Sequence, residues 1–376
     1  MAAVKKDELR IRVREWGIRI GEQEPAEKNA IIDVPGVLIG NVNIVEGNGP
    51  LEPGKGPIRT GVSAIWPARG NLVEYKIPAA IYVINGFSKC LGLTQIEECG
   101  CIETPLLITN TLNVGKCADA LIEYLYRREK WKFHTLNPVV MECNDRFLND
   151  IVGRHVRAEH VIAALDGASD EQVLEGNAGA GVGMKCYSFK GGIGTSSRKV
   201  IVRDSLYRVG CLVCTNMGTT GDLIVDGIHV GKALRDWGNA DSSSQEREYG
   251  SIIVLLATDA PLESRQLKRV ASRATHGLSR TGTYSDSGSG DIVLAWTTGY
   301  RIGEQDKQIY HSAMRLSDDY LNPFFRAAAD CTEEAILNSL WMAETLIGGD
   351  DHILEKLPLE KVRNIMRQAN YCFCGK

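Results

Sequence analysis

Short apolar segments rich in β-branched residues dominate the chain after Lys199, and turn residues bound each of them. Segments of this length and composition are typical of buried β-strands. They are KVIVRDSL, VGCLVCTN, GDLIVDGI, SIIVLLAT and DIVLAWTTG. A long amphipathic helix is predicted between the last two, because Pro261 suits a first helical turn and apolar residues follow at helical spacing. Its apolar stripe comprises Leu262, Leu267, Val270, Ala271, Ala274 and Leu278. Strands between helical layers predict an α+β fold.

The first half of the chain has the same mixture after a polar start. Residues 1–28 are mainly polar and charged, whereas NAIIDVPGVLIGNVNI, from Asn29 on, predicts two short strands joined by a Pro-Gly turn. Helical spacing predicts helices over 117–130 and within 158–175, and a helical region over 317–346 that is interrupted near Pro323. No repeat or low-complexity linker divides the chain. We therefore expect a polar segment 1–28 and a single domain over 29–376.

Composition and charge exclude several classes of protein. Hydrophobic residues make up 44% and charged residues 24% of the 376 residues, so the chain is not intrinsically disordered. The longest aliphatic run, Ile252 to Ala257, is far shorter than the roughly 18–20 residues that span a bilayer. With a net charge of -4 and no basic stripe, a nucleic-acid partner has no support. The charged start has no apolar export signal, so we expect a cytoplasmic protein without a membrane partner.

Metal and nucleotide sites are weakly supported. The chain has eleven cysteines, an odd number, and reduced thiols are expected in the absence of an export signal. The CxxC pair Cys211 and Cys214 lies in a strand-like segment whose residues alternate between faces, which favours buried thiols over zinc. The cluster GNAGAGVGMK resembles a dinucleotide loop, but the predicted helix precedes its glycines and does not follow them.

The segment with the most chemical information is the Gly-Ser pair at the head of the apolar run SIIVLLAT. A polar loop, GNADSSSQEREYG, leads into Gly250 and Ser251. One interpretation is structural, with glycine supplying the turn into a buried strand. The other is that the protein cleaves this bond itself, by attack of Ser251 Oγ on the carbonyl of Gly250. Hydrolysis of the resulting ester would leave Ser251 as a new N-terminus, whose α-amine has an ordinary pKa of about 7.7–8.0 and can act as general base.

The chain resembles the L-aminopeptidase/D-esterase (DmpA) family, which also contains the β-aminopeptidases. The resemblance covers nearly the whole globular part, with seven blocks in the family's order. They are NAIIDVPGVLIGNVNI, IETPLLITNTLNVG, VVMECNDRFLNDI, GNAGAGVGMKCYSFKGGIGTSSR, VCTNMG, GSIIVLLATDAPL and SGSGDIVLA.

The resemblance implies a four-layer αββα sandwich like that of N-terminal nucleophile hydrolases, but with different connectivity. It also implies cleavage between Gly250 and Ser251 into an α chain, 1–250, and a β chain, 251–376. The two pieces are expected to stay together as one αβ unit, and the units to form a homo-oligomer. The implied substrates are short peptides, amides and esters with a free amino terminus. No metal or organic cofactor is implied.

Four residues match the family's catalytic positions. Ser251 is the expected nucleophile for self-cleavage and for substrate turnover. Asn216, at the end of VCTNMG's apolar part, matches the amide that stabilises the oxyanion. Ser289 and Asp291, in SGSGDIVLA, match positions that hold the amine and hydroxyl of the nucleophile. Relatives often carry glutamate at the second of these, so Asp291 has one methylene less of reach. From the residues alone, each could instead serve in a turn.

Two further residues are expected at the substrate. Glu142 ends the apolar segment NPVVMEC, where a carboxylate would suit recognition of a free ammonium group; a solvated strand end is the alternative. In the next block a tyrosine or glycine is expected where this chain has Arg146 and Phe147. If Phe147 replaces a tyrosine that donates to the oxyanion, one hydroxyl is lost.

Two other functions remain open from the sequence. The first is acyl transfer on a related scaffold, as in the ornithine acetyltransferase family, whose members cleave themselves before a threonine. The serine at 251 favours hydrolysis over transfer. The second is a catalytically silent binding or assembly protein. The observation that supports it is Phe147 in place of the expected tyrosine.

Overall fold

The computed structural model describes residues 10–130, 132–235, 250–303 and 314–374. The strands are β1 (Leu38–Glu46), β2 (Ile58–Trp66), β3 (Tyr75–Gly86), β4 (Cys101–Ile102), β5 (Leu106–Asn110), β6 (Val139–Cys143), β7 (Lys185–Cys186), β8 (Phe189–Lys190), β9 (Ile193–Val202), β10 (Ser205–Asn216), β11 (Ser251–Thr258), β12 (Gly290–Thr297), β13 (Ile302–Gly303), β14 (Leu346–Ile347) and β15 (Ile353–Leu354). The helices are α1 (Leu93–Cys99), α2 (Val114–Arg128), α3 (Ala158–Asp166), α4 (Val230–Arg235), α5 (Ser264–Ala271), α6 (Ala274–Arg280), α7 (Asn322–Trp341) and α8 (Leu359–Gln368).

Two β-sheets form the middle of the molecule. The smaller has the strand order β1-β2-β5-β6, antiparallel except for the parallel pair β5–β6. The larger has the order β13-β3-β12-β11-β10-β9, with β4 also paired to β3. Its pairs are antiparallel except β11–β12, which run parallel. Consequently β10 ends where β11 and β12 begin.

Helices cover the outer face of each sheet, which gives four layers. Helices α2 and α3 pack on the smaller sheet. Helix α7 packs on β9 and β10, α5 packs on β3 and β12, and α6 packs on α7. The α+β class and the αββα sandwich expected from the sequence are confirmed by this arrangement.

The central strand β11 shows why the sequence adopts this arrangement. All its residues are buried, as expected for a strand covered on both faces. Ile253 and Leu255 belong to the core between the sheets, whereas Ile252 and Val254 belong to the core under α7. An unbroken apolar run is therefore required at this place.

The N-terminal segment is more buried than its composition indicates. Of residues 1–28, the structure describes 10–28, and Val13, Trp16, Ile18 and Ile20 are buried in the core under α7. The polar residues between them face outward or form ion pairs, such as Arg14 with Glu334. The described part of this segment is thus packed into the domain, although a boundary at residue 29 was expected.

Three predicted elements differ from the structure. The first of the two strands predicted from Asn29 on is a 3-10 helix at Ile31–Asp33, and only the second forms a strand, β1. GDLIVDGI does not form a strand, because Asp226 and Gly227 take positive φ angles of 45° and 79° and turn the chain back on itself. The long helix predicted from residue 259 is two helices, α5 and α6, broken at Ser272 and Arg273, and it begins three residues after Pro261. Its apolar stripe is buried as predicted.

Within the described ranges, no helix has both the length and the apolar character needed to cross a bilayer.

Candidate active site

Three strand ends bring the expected catalytic residues together. Ser251 is the first residue of β11 and pairs with Asn216, the last residue of β10. On its other side it lies beside Gly290, the first residue of β12, which is flanked by Ser289 and Asp291. All five residues are buried. Segments far apart in the sequence are therefore aligned by sheet register around one hydroxyl group.

The hydroxyl of Ser251 is held by the backbone of the neighbouring strand. The N–H of Gly290 donates to Ser251 Oγ at 3.2 Å. A side chain at this glycine would place its Cβ only 2.8 Å from Cβ of Ser88, so close packing requires glycine here. A donor aimed at the oxygen lowers the free energy of negative charge that develops on it.

The side-chain amide of Asn216 is fixed at both ends. Its Oδ1 accepts from the backbone N–H of Lys185 at 3.1 Å, and its Nδ2 donates to the carbonyl of Asn144 at 2.9 Å. An amide nitrogen carries two hydrogens, so a second N–H is present besides the one bound at Asn144. Because the amide is already oriented, it can stabilise an oxyanion without first reorganising.

Asp291 links the start of β12 to the residue after Ser251. Its Oδ1 accepts from the backbone N–H of Ile252 at 3.2 Å, and its Oδ2 accepts from Ser289 Oγ at 2.8 Å. The shorter aspartate side chain therefore reaches the backbone beside the expected nucleophile. Burial raises the pKa of Asp291 above its usual value, and hydrogen bonds from Ser285 and Ser289 partly offset that effect.

Replacing Asp291 by asparagine is expected to lower kcat/KM about 10- to 100-fold, the range for a hydrogen bond to a charged group. Asparagine can still accept from Ile252, but its amide hydrogens would face Ser289 and displace that hydroxyl. In the unaltered protein, activity is expected to fall on the acid side as Asp291 gains a proton. Because burial raises its pKa, this fall occurs at a higher pH than for an exposed aspartate.

The measurement is kcat/KM from pH 4 to pH 9 for both proteins. The Asp291 variant should lose the part of the acid-side fall that Asp291 causes and keep the part that comes from protonation of the Ser251 α-amine. An Asp119→Asn variant is the control, since this aspartate is exposed on α2 and does not line the cleft. An unchanged acid limb in the Asp291 variant would show that another group titrates there.

Glu142 is the second-last residue of β6, and its carboxylate is held on both oxygens. Oε1 accepts from the hydroxyl of Ser88 at 3.1 Å and from the backbone N–H of Lys89 at 2.9 Å. Oε2 accepts from the hydroxyl of Thr111. The side chain is buried yet lines the same cleft as Ser251. The alternative of a solvated strand end is wrong, because three donors orient this carboxylate inside the cleft.

Phe147 lies on the wall of the cleft and carries no hydrogen-bonding group. Its ring stacks on His352, with centroids 4.8 Å apart and planes 7° from parallel. No hydroxyl is contributed to the cleft from this position. Asn144, three residues earlier, also lines the cleft and its carbonyl anchors Asn216.

The cleft has a volume of about 530 Å³ and contains both ends of the Gly250–Ser251 bond. Several of its polar residues had no predicted role: Lys89, Thr111, Asn144, Arg146 and Lys185. They come from loops after β3, β5 and β6 and from β7, which only the packing of the two sheets brings together. A signal existed for four of them, since Thr111, Asn144, Arg146 and Lys185 lie inside blocks that carry the family resemblance.

The residues weighed as metal or nucleotide ligands lie elsewhere. Cys211 is in the core under α7 and Cys214 in the core between the sheets, so the pair faces opposite sides of β10. In the ranges that the structure describes, no group of three or more His, Cys, Asp or Glu residues could hold a metal ion. The glycines Gly179 and Gly181 are buried in a short 3-10 turn that packs on β2.

Comparisons with known proteins match nearly the whole chain. The model of peptidase family S58 matches residues 29–354. A beta-peptidyl aminopeptidase from Sphingosinicella microcystinivorans is 39% identical over 95% of this chain and 92% of its own.

Solved structures give the same result. A crystal structure of a protein from Pyrococcus horikoshii OT3 has a TM-score of 0.91 at 44% identity, covering 96% of this chain and 100% of its own. The L-aminopeptidase D-Ala-esterase/amidase from Ochrobactrum anthropi has a TM-score of 0.89 at 35% identity, covering 97% and 99%. The latter is described as a prototype for the serine aminopeptidases and a variant of the N-terminal nucleophile hydrolase fold.

Proposed function

The chain belongs to peptidase family S58, and on that premise we propose that it cleaves its own Gly250–Ser251 bond and then uses Ser251 as catalytic nucleophile. It is a hydrolase of the serine aminopeptidase, N-terminal nucleophile type. The observation that carries the proposal is the position of Ser251 Oγ. This atom lies in the cleft, next to the bond to be cut, and accepts the N–H of Gly290.

Self-cleavage begins with attack of Ser251 Oγ on the carbonyl carbon of Gly250. The C–N bond breaks, the nitrogen of Ser251 takes up a proton, and an ester joins the two residues. Water then hydrolyses the ester, which frees the carboxylate of Gly250 and the α-amine of Ser251. A Cβ at position 250 would lie 2.9 Å from Cα of Met217, so only glycine fits at this bond. The products are residues 1–250 and 251–376.

In turnover, the freed α-amine of Ser251 accepts the proton of its own hydroxyl as Oγ attacks the substrate carbonyl. The amide of Asn216 stabilises the oxyanion of the tetrahedral intermediate. Collapse of this intermediate expels the amine or alcohol and leaves an ester on Ser251, which water hydrolyses. Asp291 and Ser289 act as positioning residues that hold the start of β11 against β12.

Glu142 gives this site its requirement for a free amino group. Its carboxylate lies in the cleft of Ser251 and is oriented by Ser88 and Thr111. A substrate ammonium bound there would place the first carbonyl of the substrate at the nucleophile. We therefore propose short peptides, amides and esters with a free amino terminus as substrates.

The two pieces are proposed to remain one αβ unit. Strand β10 belongs to residues 1–250, while β11 and β12 belong to 251–376, and β10 pairs with β11 over the length of β11. Both core clusters also contain residues of both pieces. Separation would expose two apolar cores. The proposed further assembly of such units into a homo-oligomer can be checked by light scattering.

The test of this function compares substrates that differ only in the amino terminus. L-alanine p-nitroanilide should be hydrolysed, and its N-acetyl derivative should not. An added amine acceptor should not divert the acyl group from water, since transfer would instead support the acyltransferase alternative. Equal hydrolysis of the acetylated compound would contradict the role given to Glu142.

Replacing Glu142 by glutamine is expected to reduce kcat/KM for free-amine substrates about 10- to 100-fold, since a charged hydrogen bond is lost. Glutamine keeps the size of the side chain, so Ser88 and Thr111 retain a neighbour of the same shape. The loss should appear mainly in KM, because the ammonium is bound equally in the ground state and the transition state. The control is Glu52→Gln, at an exposed loop glutamate. If it lowers kcat/KM as much as Glu142→Gln does, the effect comes from the net charge of the protein and not from Glu142.

A further inference from the structure

Two cationic side chains line the cleft beside the amide that is expected to stabilise the oxyanion. Lys185 donates its backbone N–H to Asn216 Oδ1, and Arg146 follows Asn144, whose carbonyl accepts from the same amide. Arg146 and Lys185 both line the cleft of Ser251. Each of the two segments that orient Asn216 therefore places a positively charged side chain near its amide.

The two cations act on each other and on the wall of the cleft. The ammonium of Lys185 lies 5.3 Å from the centroid of the Phe147 ring, a cation–π contact that keeps it on this wall. Burial, together with the nearby guanidinium of Arg146, lowers the pKa of Lys185 to about 8. An anion bound between these side chains would be attracted to both and would favour the charged form of the lysine.

Negative charge is placed elsewhere in the same cleft. The carboxylate of Glu142 is held by Ser88, Thr111 and the backbone of Lys89, which belong to the loops after β3 and β5. Arg146 and Lys185 belong instead to the loop after β6 and to β7. The third cation of the cleft lining, Lys89, holds its ammonium over the Phe87 ring, 4.1 Å from the centroid. A small zwitterion, with an ammonium at one end and a carboxylate at the other, would match this distribution.

We propose that Arg146 and Lys185 form a binding site for a substrate carboxylate on the leaving-group side of the scissile bond. The preferred substrates are then unblocked dipeptides or peptides with an acidic residue after the bond. This inference rests on the proposed function. The volume of about 530 Å³ suits a ligand of this size, since ligand clefts usually run from about 300 to 1,000 Å³.

The role also gives a physical meaning to Arg146, at which the chain departs from the family's pattern. Arginine offers a planar fork of donors that matches both oxygens of a carboxylate. The lysine adds a point charge on a flexible stem. Together they would select by charge, while Phe147 supplies an apolar wall between Lys185 and His352.

The test measures kcat/KM for three substrates: L-Ala-L-Ala, its C-terminal amide, and L-Ala-L-Glu with an amidated C-terminus. The unaltered protein should prefer the first over the second about tenfold or more, as expected for a charged hydrogen bond. Preference for the third over the second shows that a side-chain carboxylate is also accepted. The double variant Arg146→Gln, Lys185→Gln should bring these ratios close to one.

The control variant is Lys55→Gln, which removes one positive charge at an exposed loop and should keep the ratios. A charge-preserving Lys185→Arg should keep most of the preference. Suppose that the double variant and the unaltered protein are both cut after residue 250. If their kcat/KM ratios are then the same, this inference alone is overturned. If the unaltered protein stays uncut and hydrolyses none of the three substrates, the proposed function and this inference are overturned together.

Discussion

Replacing Ser251 by alanine is expected to leave one uncut chain and to remove aminopeptidase activity. Alanine has no oxygen to attack the carbonyl of Gly250, so neither the ester nor the new N-terminus can form. The unaltered protein should give two species under denaturing conditions, with masses that sum to the full chain plus one water. The smaller species should begin at Ser251.

The expected loss of kcat is the largest of any substitution here. One residue supplies the nucleophile and, through its freed amine, the base, and loss of such a group costs roughly 10⁶-fold in serine hydrolases. Intact mass and hydrolysis of L-alanine p-nitroanilide are the two measurements. Ser287→Ala is the matched control, since its exposed side chain lies in the same loop as Ser289 but outside the cleft lining.

A Ser251→Cys variant should still cleave itself slowly, because its thiol can attack the carbonyl of Gly250 and form a thioester in place of the ester. If the Ser251→Ala chain still matured into pieces that meet at residue 250, the nucleophile would lie elsewhere. Far-UV circular dichroism of the variant should match that of the unaltered protein, since a single buried methyl replaces a hydroxymethyl group.

Replacing Asn216 by alanine is expected to have the second largest effect, a fall in kcat of about 10²- to 10³-fold. The amide is oriented by Lys185 and Asn144 before the reaction begins, so its contribution is made without reorganisation. KM should change little, because the oxyanion exists only in the transition state and the intermediate. Self-cleavage should slow as well, since its tetrahedral intermediate also carries an oxyanion near this residue.

Aspartate at position 216 provides a sharper comparison. It has the shape of asparagine but replaces a donor by a negative charge, which would repel an oxyanion, so kcat should fall below that of the alanine variant. Asn144→Ala is the comparator, because its contact with Asn216 is through the backbone carbonyl and survives the change. Equal kcat for the Asn216 variants and the unaltered protein, at full cleavage, would remove this residue from the mechanism.

Local patterns in the sequence were enough for most of the elements. The run from Ile252 to Ala257 is apolar at every position because β11 is covered on both faces, and that pattern is visible without coordinates. The stripe from Leu262 to Leu278 was also visible, but the break at Ser272 was not. A break between two helices hardly changes the spacing of the apolar residues along the sequence. Its position is decided by how α5 and α6 each pack on their neighbours. GDLIVDGI failed for a related reason, since its Asp-Gly turn outweighs the strand preference of its apolar residues.

The sequence by itself determined the class of fold, the Gly250–Ser251 pair and, through the family resemblance, the residues at the three strand ends. These follow from short-range patterns and from blocks that can be compared one at a time. Only the tertiary structure decided what surrounds them: that Glu142 is oriented by Ser88 and Thr111, and that Arg146 and Lys185 flank Asn216. Such contacts join segments from different sheets and loops. Their distances are set by how the two sheets pack. The spacing of residues within one segment contains no information about that packing.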